Sequence, residues 1–220
     1  DKSRMDWAPA TAVVAALAFL VVFWLLYDAI CRVFGQRKKG DAIVGALVLV
    51  LVCIASWLAC HWFAGRAAFL LVGAMIATAM SANVFFWIIP GQRTVVAAIK
   101  AGQPVDPVHG QRGKQRSVHN TFFTLPVLFA MMSNHYGFTY GAKNNWLVLV
   151  AIMVAGALIR LSFALRHKAL AYGKPVPWHY AIAGVVTLLA TIWATKPDAQ
   201  PAAAVAAPAS FAQVQGIVTQ

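Results

Sequence analysis

The 220-residue chain is 61% hydrophobic and 11% charged, with a mean hydropathy of +0.71; soluble domains carry about 25% charged residues, so this is the composition of an integral membrane protein. Its net charge of +12 would suggest nucleic acid in a soluble protein, but the cations fall in short loops between apolar runs, where they face anionic lipid headgroups and nucleic acid is not the expected partner. There is no glutamate, and the six carboxylates are Asp1, Asp6, Asp28, Asp41, Asp106 and Asp198, which leaves paired-carboxylate acid/base chemistry very little to work with.

Crossing a hydrocarbon core of about 30 Å takes about 20 helical residues, and the sequence predicts six such helices in an all-α, polytopic transmembrane bundle. The first covers about 10–30 and is closed by Arg32, Arg37, Lys38 and Lys39. The second, 42–61, is joined by the turn WFAGR to the third, 67–89, which Pro90-Gly91 is expected to stop sharply. A polar segment from Gln92 to Ser117 follows. The fourth helix, 119–136, contains Pro126, where a kink rather than a break is expected because neighbouring helices can re-satisfy the freed carbonyl. The fifth and sixth cover 146–165 and 178–195. Beyond them, 196–210 is an Ala/Pro-rich linker, and in 211–220 an apolar rhythm restarts. That pattern predicts an exterior domain beyond Gln220, and the non-Met start predicts that the chain begins inside a longer polypeptide.

Counting cations on alternate sides gives the orientation. Arg32, Arg37, Lys38, Lys39, Arg93, Lys100, Arg112, Lys114, Arg116, Arg166, Lys168 and Lys174 share one side, against Lys2, Arg4, Arg66, Lys143 and Lys196 on the other. Both ends of the chain are therefore expected outside.

Ionisable groups at membrane depth are costly and mark function. Asp28 and Arg160 lie at comparable depth and form a candidate intramembrane pair with Asn83 nearby; the other reading is that Arg160 snorkels and Asp28 caps a helix end. His119 and His135 are sixteen positions apart, about 24 Å along an axis rising 1.5 Å per residue and about 160° around it, which argues against a stacked two-haem ladder. His61 and His135 share the outer level. They are candidates for haem ligation or electron exit, or else headgroup-level hydrogen-bonders. Cys31, Cys53 and Cys60 show neither a CxxC nor a Cys/His metal spacing and read as buried thiols, so no metal site is expected. The basic loop ending in Arg116, His119 and Asn120, with Arg93 on its far side, either touches lipid phosphate or draws a planar, nitrogen-rich anion to the inner face.

Three runs carry a family resemblance: GRAAFLLVGAMIATAMSANVFFWIIPGQR (Gly65 to Arg93), KQRSVHNTFFTLPVLFAMMSNHYGFTYG (Lys114 to Gly141) and AGALIRLSFALRH (Ala155 to His167). They resemble the membrane domain of the bacterial membrane-bound urate oxidases, or urate hydroxylases, over about Gly65 to Thr195 and more loosely over the first two helices. The resemblance implies an inner-membrane oxidoreductase of purine catabolism. It would oxidise urate to 5-hydroxyisourate and pass electrons to a c-type cytochrome and the respiratory chain, with haem c in a C-terminal domain and both ends of this chain on the periplasmic side. Under it, Arg93, Arg116 and Asn120 are substrate-binding candidates, His119 is the candidate proton acceptor, and haem b in the bundle is a further expectation. The alternatives are a non-catalytic haem-binding electron conduit and a purine transporter; the latter calls for an internal repeat, and none is evident.

Overall fold

The computed structural model describes residues 5–196, the side chain of Lys168 excepted. It is a helical bundle with no strand among the described residues. The order is α1 (Pro9–Phe34), α2 (Gly40–Trp62), α3 (Gly65–Asn83), a π-helical turn (Val84–Ile88), α4 (Ile89–Lys100), α5 (Pro107–Met132), a 3-10 turn (Ser133–His135), α6 (Gly137–Tyr140), α7 (Asn145–Ala171) and α8 (Trp178–Ala194). Past Lys196, the expected linker and the 211–220 segment lie outside the described residues.

Among the described residues, four helical stretches are long and apolar enough to cross a membrane: Pro9–Phe34, Gly40–Trp62, Gly65–Lys100 and Asn145–Ala171. Of the six spans expected, α8 is a shorter apolar helix of 17 residues. The fourth span is the C-terminal half of α5, a helix that begins twelve residues before His119 and ends at Met132.

Two local expectations are corrected. Pro90 does not end the third helix. A proline inside a helix removes one N–H and crowds the preceding turn; here the π turn immediately upstream absorbs that, with the Ile89 N–H reaching back five residues to the Val84 carbonyl, and the helix runs on to Lys100. Nor is 92–117 a loop, since α4 and the start of α5 occupy most of it and only 101–106 connects them. Asp106 caps α5 by accepting from the Val108 N–H at 2.9 Å, with Pro107 at the first helical position. Pro126 is accommodated within α5, as expected.

Helix α3 is the hub, packing on α1, α2 and α5. Its inward face is Ala68, Phe69, Val72, Met75, Ile76 and Ala79, all buried, at the i, i+3, i+4 spacing of one helical face. Small residues allow close approach: a Cβ added at Gly73 would come within 2.9 Å of the Ala130 Cβ on α5, and one at Gly184 within 2.7 Å of the Ala155 carbonyl oxygen on α7. On α1, Val13, Val14, Leu17, Val21, Val22 and Leu25 are exposed, the face a spanning helix turns to lipid. Helices α2 and α5 each pack on α3 and α7 but hardly on one another, and a cavity fills the space between them.

Candidate functional site

The polar residues of the bundle converge where the C-terminal end of α1, the π turn and the middle of α5 meet. Each helix supplies neighbours on one face: Tyr27, Asp28, Cys31 and Arg32 from α1, Asn83 and Trp87 from the end of α3 and the π turn, Gln115, Arg116, His119 and Asn120 from α5. Asp28 is the anion at the centre. Its Oδ1 accepts from Arg116 Nη2 at 2.7 Å and from the Trp87 indole at 2.7 Å, and its Oδ2 accepts from Arg32 Nε at 2.6 Å. Arg116 is 2% exposed, and its guanidinium lies 5.0 Å from the ring centroids of both Tyr27 and Trp87. A buried charge persists only when paired and hydrogen-bonded, and this pair is both.

The network continues in one direction. Arg116 Nη1 donates to Asn83 Oδ1 at 3.2 Å. Because arginine can only donate, this fixes which end of the Asn83 amide is oxygen. Asn83 Nδ2 then donates to Asn120 Oδ1 at 2.8 Å and to the Tyr27 hydroxyl at 2.9 Å, while Asn120 Nδ2 donates to the Met80 carbonyl at 3.0 Å. The Tyr27 hydroxyl, which accepts from Asn83, lies 2.9 Å from His119 Nδ1; it donates to that nitrogen when His119 is the neutral Nε2–H tautomer, the arrangement that gives the hydroxyl hydrogen a partner. Asn83 and Tyr27 are both fully buried, so the chain from Asp28 to His119 is shielded from competing water.

Two cavities flank this network. The smaller, about 200 Å³, is lined by Cys31, Arg32, Gln36, Trp87, Arg112, Gln115 and Arg116. Three guanidiniums face it, and Asp28 is hydrogen-bonded to two of them. Arg112 stands over the Trp87 ring at 5.8 Å and has no carboxylate partner among the described residues. The cavity therefore carries excess positive charge beside an aromatic face, suited to a compact planar anion. The larger cavity, about 780 Å³, lies between α2, α5 and α7 and is polar at one end, with Arg37, Lys114 and His119, and apolar over the remainder. Gln36 and Gln115 line both cavities. Gln115 Nε2 is held by the Asp41 carboxylate at 2.7 Å and the Gly35 carbonyl at 3.2 Å.

Of the residues singled out in the sequence, Asp28, Asn83, Arg116, His119 and Asn120 come together. Arg160 does not join them: the ion-pair partners of Asp28 among the described residues are Arg116 and Arg32, and Arg160 is half-buried on α7. Arg116 faces the small cavity while anchored to Asp28, and Asn120 is committed to Asn83 and Met80. Arg93 is exposed on α4 and lines neither cavity. His61 is exposed and stacked on Trp57 at 5.5 Å; His135 is exposed in the 3-10 turn. No hydrogen bond or ring contact joins these two histidines, and neither lines either cavity. The larger cavity presents one histidine, His119, whose Nδ1 is already engaged by Tyr27, so a bis-histidine haem does not fit there. Among the described residues no group of three or more His, Cys, Asp or Glu could hold a metal ion.

Sequence reasoning missed Tyr27, Trp87, Gln36 and Gln115 and took Arg32 only as a loop cation; Arg112 was one of the cations of the basic loop. One signal was available: Tyr27 with Cys31, Asp28 with Arg32, and Asn83 with Trp87 are all i, i+4 pairs at the basic end of an apolar helix.

No curated protein and no solved structure matches this chain. A family model described as urate oxidase N-terminal matches residues 1–196. With the whole described bundle inside that match, including every residue of the Asp28–His119 network, the chain belongs to the urate oxidase N-terminal family.

Proposed function

We propose that this bundle is the membrane domain of a urate-oxidising enzyme and that urate binds in the small cationic cavity. The observation that carries the reading is the charge imbalance there: Arg32, Arg112 and Arg116 face a compact space, with Asp28 the carboxylate bonded to two of them. Urate is a planar anion rich in carbonyl and ring-nitrogen groups. Guanidinium forks and the amides of Gln36 and Gln115 match it, and Trp87 offers a stacking face. The reaction is a two-electron oxidation in which water adds to the substrate: uric acid plus water gives 5-hydroxyisourate, two protons and two electrons. His119 handles the protons. It lines the larger cavity and reaches the smaller through its neighbours, with Nδ1 2.9 Å from the Tyr27 hydroxyl and 3.9 Å from the thiol of Cys31, which lines the smaller cavity. The electrons pass out of the site, directly or by way of a carrier in the membrane, and end on a c-type cytochrome. The domain sits in the bacterial inner membrane with the cationic cavity on the cytoplasmic side and both ends of the chain periplasmic, as the distribution of Lys and Arg favours.

The test is steady-state urate oxidation by membranes bearing the complete protein. His119→Gln is expected to lower kcat by about 10²-fold or more with little change in KM, the usual contribution of a positioned acid/base group. Arg112→Ala, which removes a cation with no carboxylate partner among the described residues, is expected to raise KM by about tenfold and leave kcat nearly unchanged. Unchanged turnover in the His119 variant removes that residue from the chemistry, and an unchanged KM in the Arg112 variant moves the urate site elsewhere.

A further inference from the structure

The larger cavity is poorly matched to urate. At about 780 Å³ it lies in the upper part of the range of small-molecule sites, about 300–1,000 Å³, and most of its wall offers an anion nothing. Its lining on α2 extends from Asp41 to Val52 and on α7 from Val150 to Leu161, about 16 Å along each axis at 1.5 Å per residue. Only one end is polar. There His119, Gln36, Gln115, Arg37 and Lys114 gather, and beyond them the wall is aliphatic and aromatic, as at Val48, Val52, Phe122, Met153 and Leu158. Helices α2 and α7 are both long and apolar enough to span a membrane, so the apolar length of the cavity lies at the depth of lipid tails. The shape calls for an amphiphile with a small polar head and one long apolar tail.

We infer that this cavity binds a lipophilic quinone, head group at His119 and the two glutamines, isoprenoid tail between α2, α5 and α7. The inference rests on the proposed urate oxidation for its electron donor. Two features select a quinone over an acyl lipid. The polar end adjoins the small cavity through Gln36 and Gln115, and the chemistry assigned to that cavity releases electrons in a pair, which a quinone accepts as a pair and a cytochrome does not. The second is His119, which lines the polar end: in the tautomer whose Nδ1 accepts from Tyr27, Nε2 carries a hydrogen and has no protein partner among the described residues, a donor suited to a quinone carbonyl. The step balances: uric acid, water and quinone give 5-hydroxyisourate and quinol. The substrate loses two electrons and two protons, the two carbonyl oxygens of the quinone gain them, and the new C–O bond on the substrate comes from water.

The complete protein in phospholipid nanodiscs, titrated with decylubiquinone in the absence of urate, tests the binding. Saturable binding above that of empty nanodiscs is expected, weakened about tenfold or more (about 1.4 kcal/mol) by Ala157→Trp and, independently, by Val48→Trp, each of which fills the apolar length. Urate affinity, measured separately by calorimetry, is expected to stay within about twofold in both variants. Under anaerobic conditions urate is expected to drive decylubiquinol formation in the unmodified protein and not in the filled variants. Binding no greater than in empty nanodiscs overturns the assignment, as does undiminished affinity in folded Ala157→Trp or Val48→Trp, or a tightly held phospholipid that decylubiquinone does not displace. Quinone binding that the filling substitutions abolish, in a protein that binds no urate, leaves the quinone site standing and fails the urate reading instead.

Discussion

Asp28 and Arg116 carry opposite charges inside a bundle whose surroundings cannot solvate either. Such a pair adds little net stability over well-packed apolar residues, yet removing one member strands the other. Asp28→Asn is accordingly expected to destabilise the protein by about 3–5 kcal/mol, seen as a lowered thermal midpoint in detergent, whereas Asp28→Leu combined with Arg116→Met loses less than Asp28→Leu alone. Arg160→Ala, by contrast, is expected to stay within about 0.5 kcal/mol of the unmodified protein, because Asp28 is satisfied without Arg160. The sequence shows that Asp28 needs a cation but not which one. Arg32 is its i+4 neighbour and legible on that ground, while the choice between Arg116 and Arg160 depends on which helix α1 packs beside, information that no local spacing contains.

Among the elements, the π turn at Val84–Ile88 has the most direct bearing on the site. A π turn accommodates one more residue than the α-helix would, rotating the chain beyond it, and here it presents Trp87 to Asp28 and lets the helix survive Pro90. Deleting Phe85, an exposed residue of that turn, is expected to rotate the downstream helix by about 100° and carry the indole off the carboxylate. The measurable result is a large loss of urate turnover with helical circular dichroism preserved. This turn also marks where sequence reading falls short. The length of the apolar runs pointed to the helices because spanning segments must be apolar on nearly every face, but it reports where hydrocarbon ends, not where a helix does. Helix α4 and the first turns of α5 are helical and polar, so they read as loop, and Pro90 read as a terminus because the compensating π geometry leaves no mark in composition. Arg116, His119 and Asn120 were grouped by their closeness in sequence, but that they share one helical face was not legible, because the turns holding Arg116 read as loop; nor were their separate hydrogen-bond partners, which depend on Tyr27 and Asn83 arriving from two other helices.

At the scale of the whole molecule, the bundle separates an apolar exterior from an interior whose buried charges, among the described residues, gather at one end. The exposed face of α1, with Val21 at its centre, sees lipid. Val21→Asp is expected to cost about 2.5–3.5 kcal/mol of membrane insertion, measured as a larger fraction of glycosylated or protease-accessible chain in an insertion assay, while Val21→Leu is neutral. The interior end has a different logic. Gln36 and Gln115 are wall to both cavities at once, and the Gln115 amide is tethered to Asp41 and Gly35, leaving one carbonyl oxygen to be shared between two neighbours. An occupant of either cavity that bonds to that oxygen competes for it with an occupant of the other, and thermodynamic linkage makes the effect reciprocal: the factor by which a first occupant changes the affinity of a second equals the factor in the opposite direction. With urate and a quinone as the proposed occupants, the shared glutamine wall would couple the binding of electron donor to that of electron acceptor.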